Sequence, residues 1–311
     1  MAKSAKSTWN MILKRLFFLF KILISFLILY AIFKHINIPR MLQYLRMVSP
    51  LTLTGILLLA VLKWVIQCYN WGKFLALNPQ YEIRTGEVVR SFLIGEALRF
   101  LVPGGYATYG KMFYVNNRKS ATIISVSMEK FFIIWTSLLF AALAGIFYFT
   151  SLALYIRIVV FFIIMSMPGW VYLIPRLFPG KSLYPYSRKY NEHALVIISA
   201  QIIFMIITLV QYYLIITSVQ SFRFLDTFIS VPLILIANII PITYSGLGLR
   251  EHFAVLIFTR YNMVPEAAIV CSMLIFLVNN VITGIMGVVL LLRSRNHRIS
   301  IAKTASSNLI K

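Results

Sequence analysis

Pro241-Ile242-Thr243-Tyr244-Ser245-Gly246-Leu247-Gly248-Leu249-Arg250-Glu251 interrupts a long hydrophobic stretch. Gly95-Glu96-Ala97-Leu98-Arg99-Phe100-Leu101-Val102-Pro103-Gly104-Gly105 interrupts another in the same way. Each sets proline, glycine and a Glu/Arg couple where lipid would demand unbroken apolar helix. Irregular, charged backbone at membrane depth persists only where protein buries it or a watery cavity borders it. The two breaks are therefore the first candidates for a site.

The surrounding sequence requires a membrane. Of 311 residues, 60% are hydrophobic and 12% charged, against roughly 25% charged in soluble domains, and the mean hydropathy is +0.85. Apolar runs near the ~20 residues that cross a bilayer as helix recur along the whole length. This composition predicts an all-α polytopic membrane protein, a single transmembrane domain over 1–311. The first run, Phe17 to Phe33, follows Lys3, Lys6, Lys14 and Arg15 as a secretory signal would. No small-residue cleavage site follows it, so a retained anchor is expected.

Several function classes drop out. Cys68 and Cys271 are the only cysteines, and His35, His193, His252 and His297 are scattered without metal-ligand spacing, so neither a disulfide framework nor a metal site is expected. Nucleotide-binding and hydrolase signatures are absent, and no cofactor is implied. A net charge of +22 does not point to nucleic acid, because the basic residues lie between apolar spans rather than on one module. The positive-inside rule accounts for them, with basic loops resting on an anionic inner leaflet.

The expected spans are Leu16–Lys34, Leu51–Tyr69, Ala121–Phe147, Leu154–Pro175, Ala194–Ser218 and Ala267–Leu292. If both broken segments re-enter, 19 of the 30 Lys and Arg fall on the face shared by the two termini and seven on the other. This places the N- and C-termini in the cytoplasm, across the inner (cytoplasmic) membrane. The outer loop with Arg40 and Arg46 fits least well. Each half then reads span, span, broken segment, span, so 16–147 and 154–292 would form an inverted repeat with the breaks meeting near the midplane.

The charges sharpen the reading. One charge at a span centre costs roughly 2.5 to 3.5 kcal/mol, so Glu96, Arg99, Glu129, Lys130, Arg250 and Glu251 must pair or face water. Glu96 and Arg99 are neighbours at i, i+3 on a helix, as are Glu87 and Arg90 nearer the interface. Glu129 and Lys130 point about 100° apart, so Glu129 is expected to seek Arg99 or Arg250 while Lys130 snorkels. Glu129 reads equally as functional or as structurally paired. Gly246 and Gly248 permit a turn from which a helix resumes, with Arg250 in its first turn. That arrangement suits an anion such as phosphate, or else Arg250 simply bonds a carboxylate of the fold. Asn279 and Asn280, mid-span, are expected to bond a broken segment or glue helices together.

Leu101-Val102-Pro103-Gly104-Gly105 followed by Met128-Glu129-Lys130 resembles the first signature of the lysylphosphatidylglycerol synthase transmembrane-domain family, also described as flippase-like. Pro241 through Glu251 resembles its second signature more closely, and the likeness spans nearly the whole chain. In multidomain members such a domain is thought to move a modified phospholipid between leaflets ahead of a soluble aminoacyl transferase domain. That transferase is not expected here, since the chain ends at Lys311. The first signature departs from the family pattern at Tyr106-Ala107-Thr108-Tyr109-Gly110-Lys111, where an acidic residue is lost, and at Lys130, where arginine is commoner. The resemblance implies translocation, or assistance in translocation, of an anionic phospholipid or lipid-linked cell-envelope precursor. Substrate contacts would come from Gly246, Gly248, Arg250 and Glu251 on one side and Glu96, Arg99, Glu129, Pro103, Gly104 and Gly105 on the other. The alternative is a non-transporting accessory protein docking an envelope glycosyltransferase or lipid-modifying enzyme. No nucleophile and base stand together, so an enzyme is not expected.

Overall fold

The structure is a computed structural model describing residues 30, 37–101, 105–177, 184–240 and 246–293. Every regular element among them is helical. The first is α1, Ile38–Met47, capped by the Asn37 side chain, which accepts from the Arg40 N–H at 3.1 Å. It has no buried residue. Ile38, Leu42 and Leu45 line one side and Arg40, Gln43 and Arg46 another. A short helix of this pattern suits the membrane interface, which gives the two arginines of the ill-fitting loop a place to snorkel.

Among the described residues, five helices are long and apolar enough to cross a membrane. They are α2 (Pro50–Leu75), α4 (Lys119–Tyr148), α5 (Leu154–Leu177), α6 (Tyr184–Val219) and α9 (Pro265–Arg293). Each contains one of the expected spans from Leu51–Tyr69 onward. The first expected span, Leu16–Lys34, lies outside the described residues. Helix starts follow the local chemistry. Ser49 caps α2 by accepting from the Thr52 N–H at 3.1 Å with Pro50 in the first turn, and Pro265 and Glu266 open α9.

Shorter helices border the breaks. The first break lies between α3 (Thr85–Leu101) and a 3₁₀ segment, Gly105–Tyr114. The second lies between α7 (Phe224–Leu235, extended by a 3₁₀ turn at Ile236–Asn238) and α8 (Leu249–Phe258). At 1.5 Å per residue α7 and α8 are about 18 and 15 Å long, about half of the ~30 Å hydrocarbon core.

Packing divides the bundle into layers along its length. One apolar cluster joins Ile56 and Ala60 of α2, Phe140 and Ala144 of α4, and Tyr212 and Ile216 of α6 to α7, α8 and the start of α9. A second joins Trp71, Phe74 and Leu75 of α2 to Phe92 of α3, Phe132 and Trp135 of α4, and Tyr190 and Ile197 of α6. On three of the long helices buried polar residues lie between the clusters: Lys63, Gln67 and Asn70 on α2, Thr136 on α4, Gln201 on α6. A polar layer thus lies between the two apolar clusters.

The last helix carries two local features. A π-helical turn, Leu277–Val281, interrupts α9 at the two asparagines. Beyond it, Gly284 and Gly287 face α3 so closely that a methyl on Gly287 would overlap the Leu93 carbonyl oxygen and one on Gly284 would stand 2.7 Å from the Phe100 ring. Small residues of this kind let transmembrane helices approach backbone to backbone.

Candidate functional site

The residues flanking the first break fold back into the bundle. Pro103 and Gly104 lie outside the described residues, and Gly105 begins the 3₁₀ segment. A ten-residue 3₁₀ run is long for this geometry. Three side-chain contacts fasten it to α4. Lys130 Nζ donates to Thr108 Oγ1 at 3.2 Å, Tyr109 and Ser127 share a hydrogen bond of 2.9 Å, and Lys111 donates to Glu129.

The Lys111–Glu129 pair is buried on both sides, at 1% and 5% exposure. The Lys111 ammonium also stands 3.5 Å from the centroid of the Trp71 ring, whose indole N–H donates to Ser91 at 2.9 Å. This corrects the expectation that Glu129 pairs with Arg99 or Arg250. Its partner is Lys111, 18 residues earlier in the chain. The physical reason is the 3₁₀ segment, which carries Lys111 inward instead of leading the chain out. Lys130 likewise bonds Thr108 rather than snorkelling.

Arg99 and Glu96 do pair, at 3.5 Å, with half-exposed and largely covered side chains respectively. The other Arg99 nitrogen donates to Asn280 Oδ1 at 3.2 Å, so the π turn of α9 holds the end of α3. Glu87 accepts from the Asn116 N–H instead of making the surface pair expected with Arg90.

The second break closes on itself. Pro241 to Ser245 lie outside the described residues. Gly246 and Gly248 follow with φ of 79° and 84°, and Gly248 caps α8. Its N–H donates to Glu251 Oε2 at 2.7 Å, so the carboxylate that neutralises this helix N-terminus comes from the helix itself. Arg250 pairs with the other oxygen of Glu251 and donates through Nε to Ser272 Oγ at 2.9 Å, and its guanidinium lies 4.6 Å from the Phe276 ring centroid. Ser272 in turn donates to Glu251 at 3.2 Å. Both charged residues are almost wholly buried, and the anion at this N-terminus is a side chain of the fold. Gly248→Ala is expected to lose about 1–3 kcal/mol, because positive φ with negative ψ strains any residue with a β-carbon. Thermal unfolding in detergent measures it, and an unchanged midpoint would remove strain from the account.

The candidate residues therefore form two separate groups. Glu96 and Arg99 sit at the end of α3, with Lys111 and Glu129 alongside at the 3₁₀ segment. Arg250, Glu251, Gly246 and Gly248 surround the start of α8. Between them runs the polar layer, which includes Lys63, a residue that sequence reasoning passed over as one charge among the spans. Its position near the middle of the 26-residue α2, at the centre of a crossing, was the available signal.

The profile of the lysylphosphatidylglycerol synthase TM region matches residues 18–287, most of the 311-residue chain. The chain belongs to that family. No curated protein and no solved structure matches it. Membership together with five apolar crossings makes it an integral membrane protein with a lipid-related function. The two interrupted segments, the polar layer and the closed Arg250–Glu251–Ser272 cluster all fall within the family match.

Proposed function

We propose that this chain translocates, or helps to translocate, an anionic phospholipid or lipid-linked cell-envelope precursor between the leaflets of the inner membrane. Both termini would be cytoplasmic, and the two broken segments would re-enter from opposite faces as halves of an inverted repeat. One observation carries the reading: a buried lysine and several buried carboxamides lie between the two apolar clusters of the bundle. Such a layer is costly for a protein that only spans a membrane, and it is what a polar headgroup crossing the hydrocarbon needs. The Glu96/Arg99 pair supplies exposed charge at one end. At the other, Arg250 meets a headgroup only after its contact with Glu251 opens, since in this conformation each neutralises the other.

The self-contained Arg250–Glu251–Ser272 cluster favours a second reading, that of a membrane scaffold for an envelope glycosyltransferase or lipid-modifying enzyme. One experiment separates the two. The full chain, reconstituted in phosphatidylethanolamine vesicles holding a trace of fluorescent phosphatidylglycerol, is expected to let dithionite bleach the inner-leaflet fraction within minutes, while empty vesicles keep about half the signal. Equal traces with and without protein would reject transport of that lipid and support the scaffold.

A further inference from the structure

Lys63 is a buried cation without a counter-ion among the described residues. It is 3% exposed at the middle of α2, and its ammonium donates to Gln211 Oε1 at 3.0 Å and stands 4.5 Å from the Phe204 ring centroid. No described carboxylate pairs with it, whereas the other buried cations, Lys111 and Arg250, each have one. A buried ammonium of this kind is retained at a cost, and an anion is what would relieve it.

The surroundings of Lys63 are neutral carboxamides. Gln67 and Gln201 bond each other at 3.2 Å, and Gln211 and Asn279 exchange two bonds of 3.3 and 3.1 Å. A carboxamide carries donors and an acceptor together, so such pairs can turn toward an anion and still satisfy part of their own needs. Asn70 is a second, independent sign. It is fully buried and neither its amide nitrogen nor its amide oxygen has a partner. Buried amides are seldom left so, because the lost hydrogen bonds are not recovered. Asn70 shares a face with Lys63 and Gln67 at i, i+4 and i+7, about 10 Å along the axis from Lys63.

The π turn of α9 links this face to the exposed end. Asn279 reaches Gln211, the partner of Lys63, and the next residue, Asn280, accepts from Arg99. Two cations, one buried and one half-exposed, are thus linked to adjacent residues of one turn, Arg99 directly and Lys63 through Gln211. π turns of this kind occur frequently at functional sites.

We propose that Lys63 is the counter-charge of a seat for the phosphate group of an anionic headgroup, entered past Arg99, with Gln67, Gln211 and Asn279 as neutral donors and Asn70 as the next contact along α2. The site rests on the lipid-translocation reading for its natural occupant, but its chemistry is testable by binding alone. The phosphate belongs either to a lipid or to a free anion, and the arms of the test separate them.

The full chain in detergent is unfolded thermally with dioleoylphosphatidylglycerol, dioleoylphosphatidylcholine or inorganic phosphate. Phosphatidylglycerol is expected to raise the midpoint by roughly 4 °C at saturation and phosphatidylcholine by much less. Lys63→Met, which removes the charge at similar volume, should fold and lose that rise, and Lys63→Arg should keep most of it. A folded Lys63→Met with the full rise, or equal rises with the two lipids, overturns the proposal. A Lys63-dependent rise with inorganic phosphate alone upholds the phosphate seat and assigns it a free anion. Leaflet exchange is then measured on the same proteins. Lys63-dependent binding without exchange upholds the seat and overturns translocation, whereas exchange with no dependence on Lys63 in either assay does the reverse.

Discussion

Glu129→Leu is expected to destabilise the protein by about 3–5 kcal/mol, the usual cost of stranding one member of a buried ion pair. Lys111 would be left with the Trp71 ring and no carboxylate, at 1% exposure, beside an apolar cluster. Lys111→Met should cost a similar amount for the converse reason. The double variant Lys111→Met/Glu129→Leu is expected to recover most of the loss, because neither desolvated charge remains and the two side chains fill similar space. Thermal unfolding of the four proteins in detergent closes the cycle and yields the coupling directly. Additive losses in the double variant would show that the two residues do not depend on each other. The pair also bears on function, since it anchors the 3₁₀ segment that follows the first break.

Gly287→Val is expected to be at least as damaging. A β-carbon there would overlap the Leu93 carbonyl oxygen and lie 2.8 Å from the Ala97 side chain. Backbone cannot yield as a flexible side chain can, so α3 must move away from α9 as a body. That movement breaks the Arg99–Asn280 bond and opens the seam beside Phe100. Little monodisperse protein should be recovered after extraction, compared with the parent. Leu292→Val, at an exposed position of the same helix, is the control and should leave recovery unchanged. Equal recovery of Gly287→Val and the parent would mean that α3 does not pack on α9 as described.

The crossings were legible because hydropathy over ~20 residues is a strong signal, yet their ends were not. Ala194–Ser218 proved to be the apolar part of a helix reaching back to Tyr184, since Ser187 and Tyr190 bond Tyr172 and Pro168 of α5 and hold the polar turns helical. The Glu96–Arg99 pair was legible because it is local, at i, i+3. The Lys111–Glu129 pair was not, because 18 residues and an irregular segment separate its members and only the fold joins them. Arg250 and Glu251 were correctly picked out as charges of the second break. Adjacent residues on a helix do not usually face each other, so only the structure shows that Glu251 spans both the Gly248 N–H and the Arg250 guanidinium. Lys63 could have been found by the rule applied to its neighbours, but a lone cation in a long apolar span is easily absorbed into the hydropathy sum.

The π turn of α9 has a geometric effect on everything after it. Bonding from i to i+5 takes up one more residue than an α-turn, which at 3.6 residues per turn advances the following face by about 100° relative to an uninterrupted helix. Before the turn, Ser272 and Phe276 attend to Arg250; after it, Gly284 and Gly287 attend to α3. The last crossing is thus two helices on one axis, set out of phase so that a single rod serves both interrupted segments. Losing one residue from Leu277–Val281 would restore the phase and turn the glycines away from α3, although every side chain on both faces would still be present.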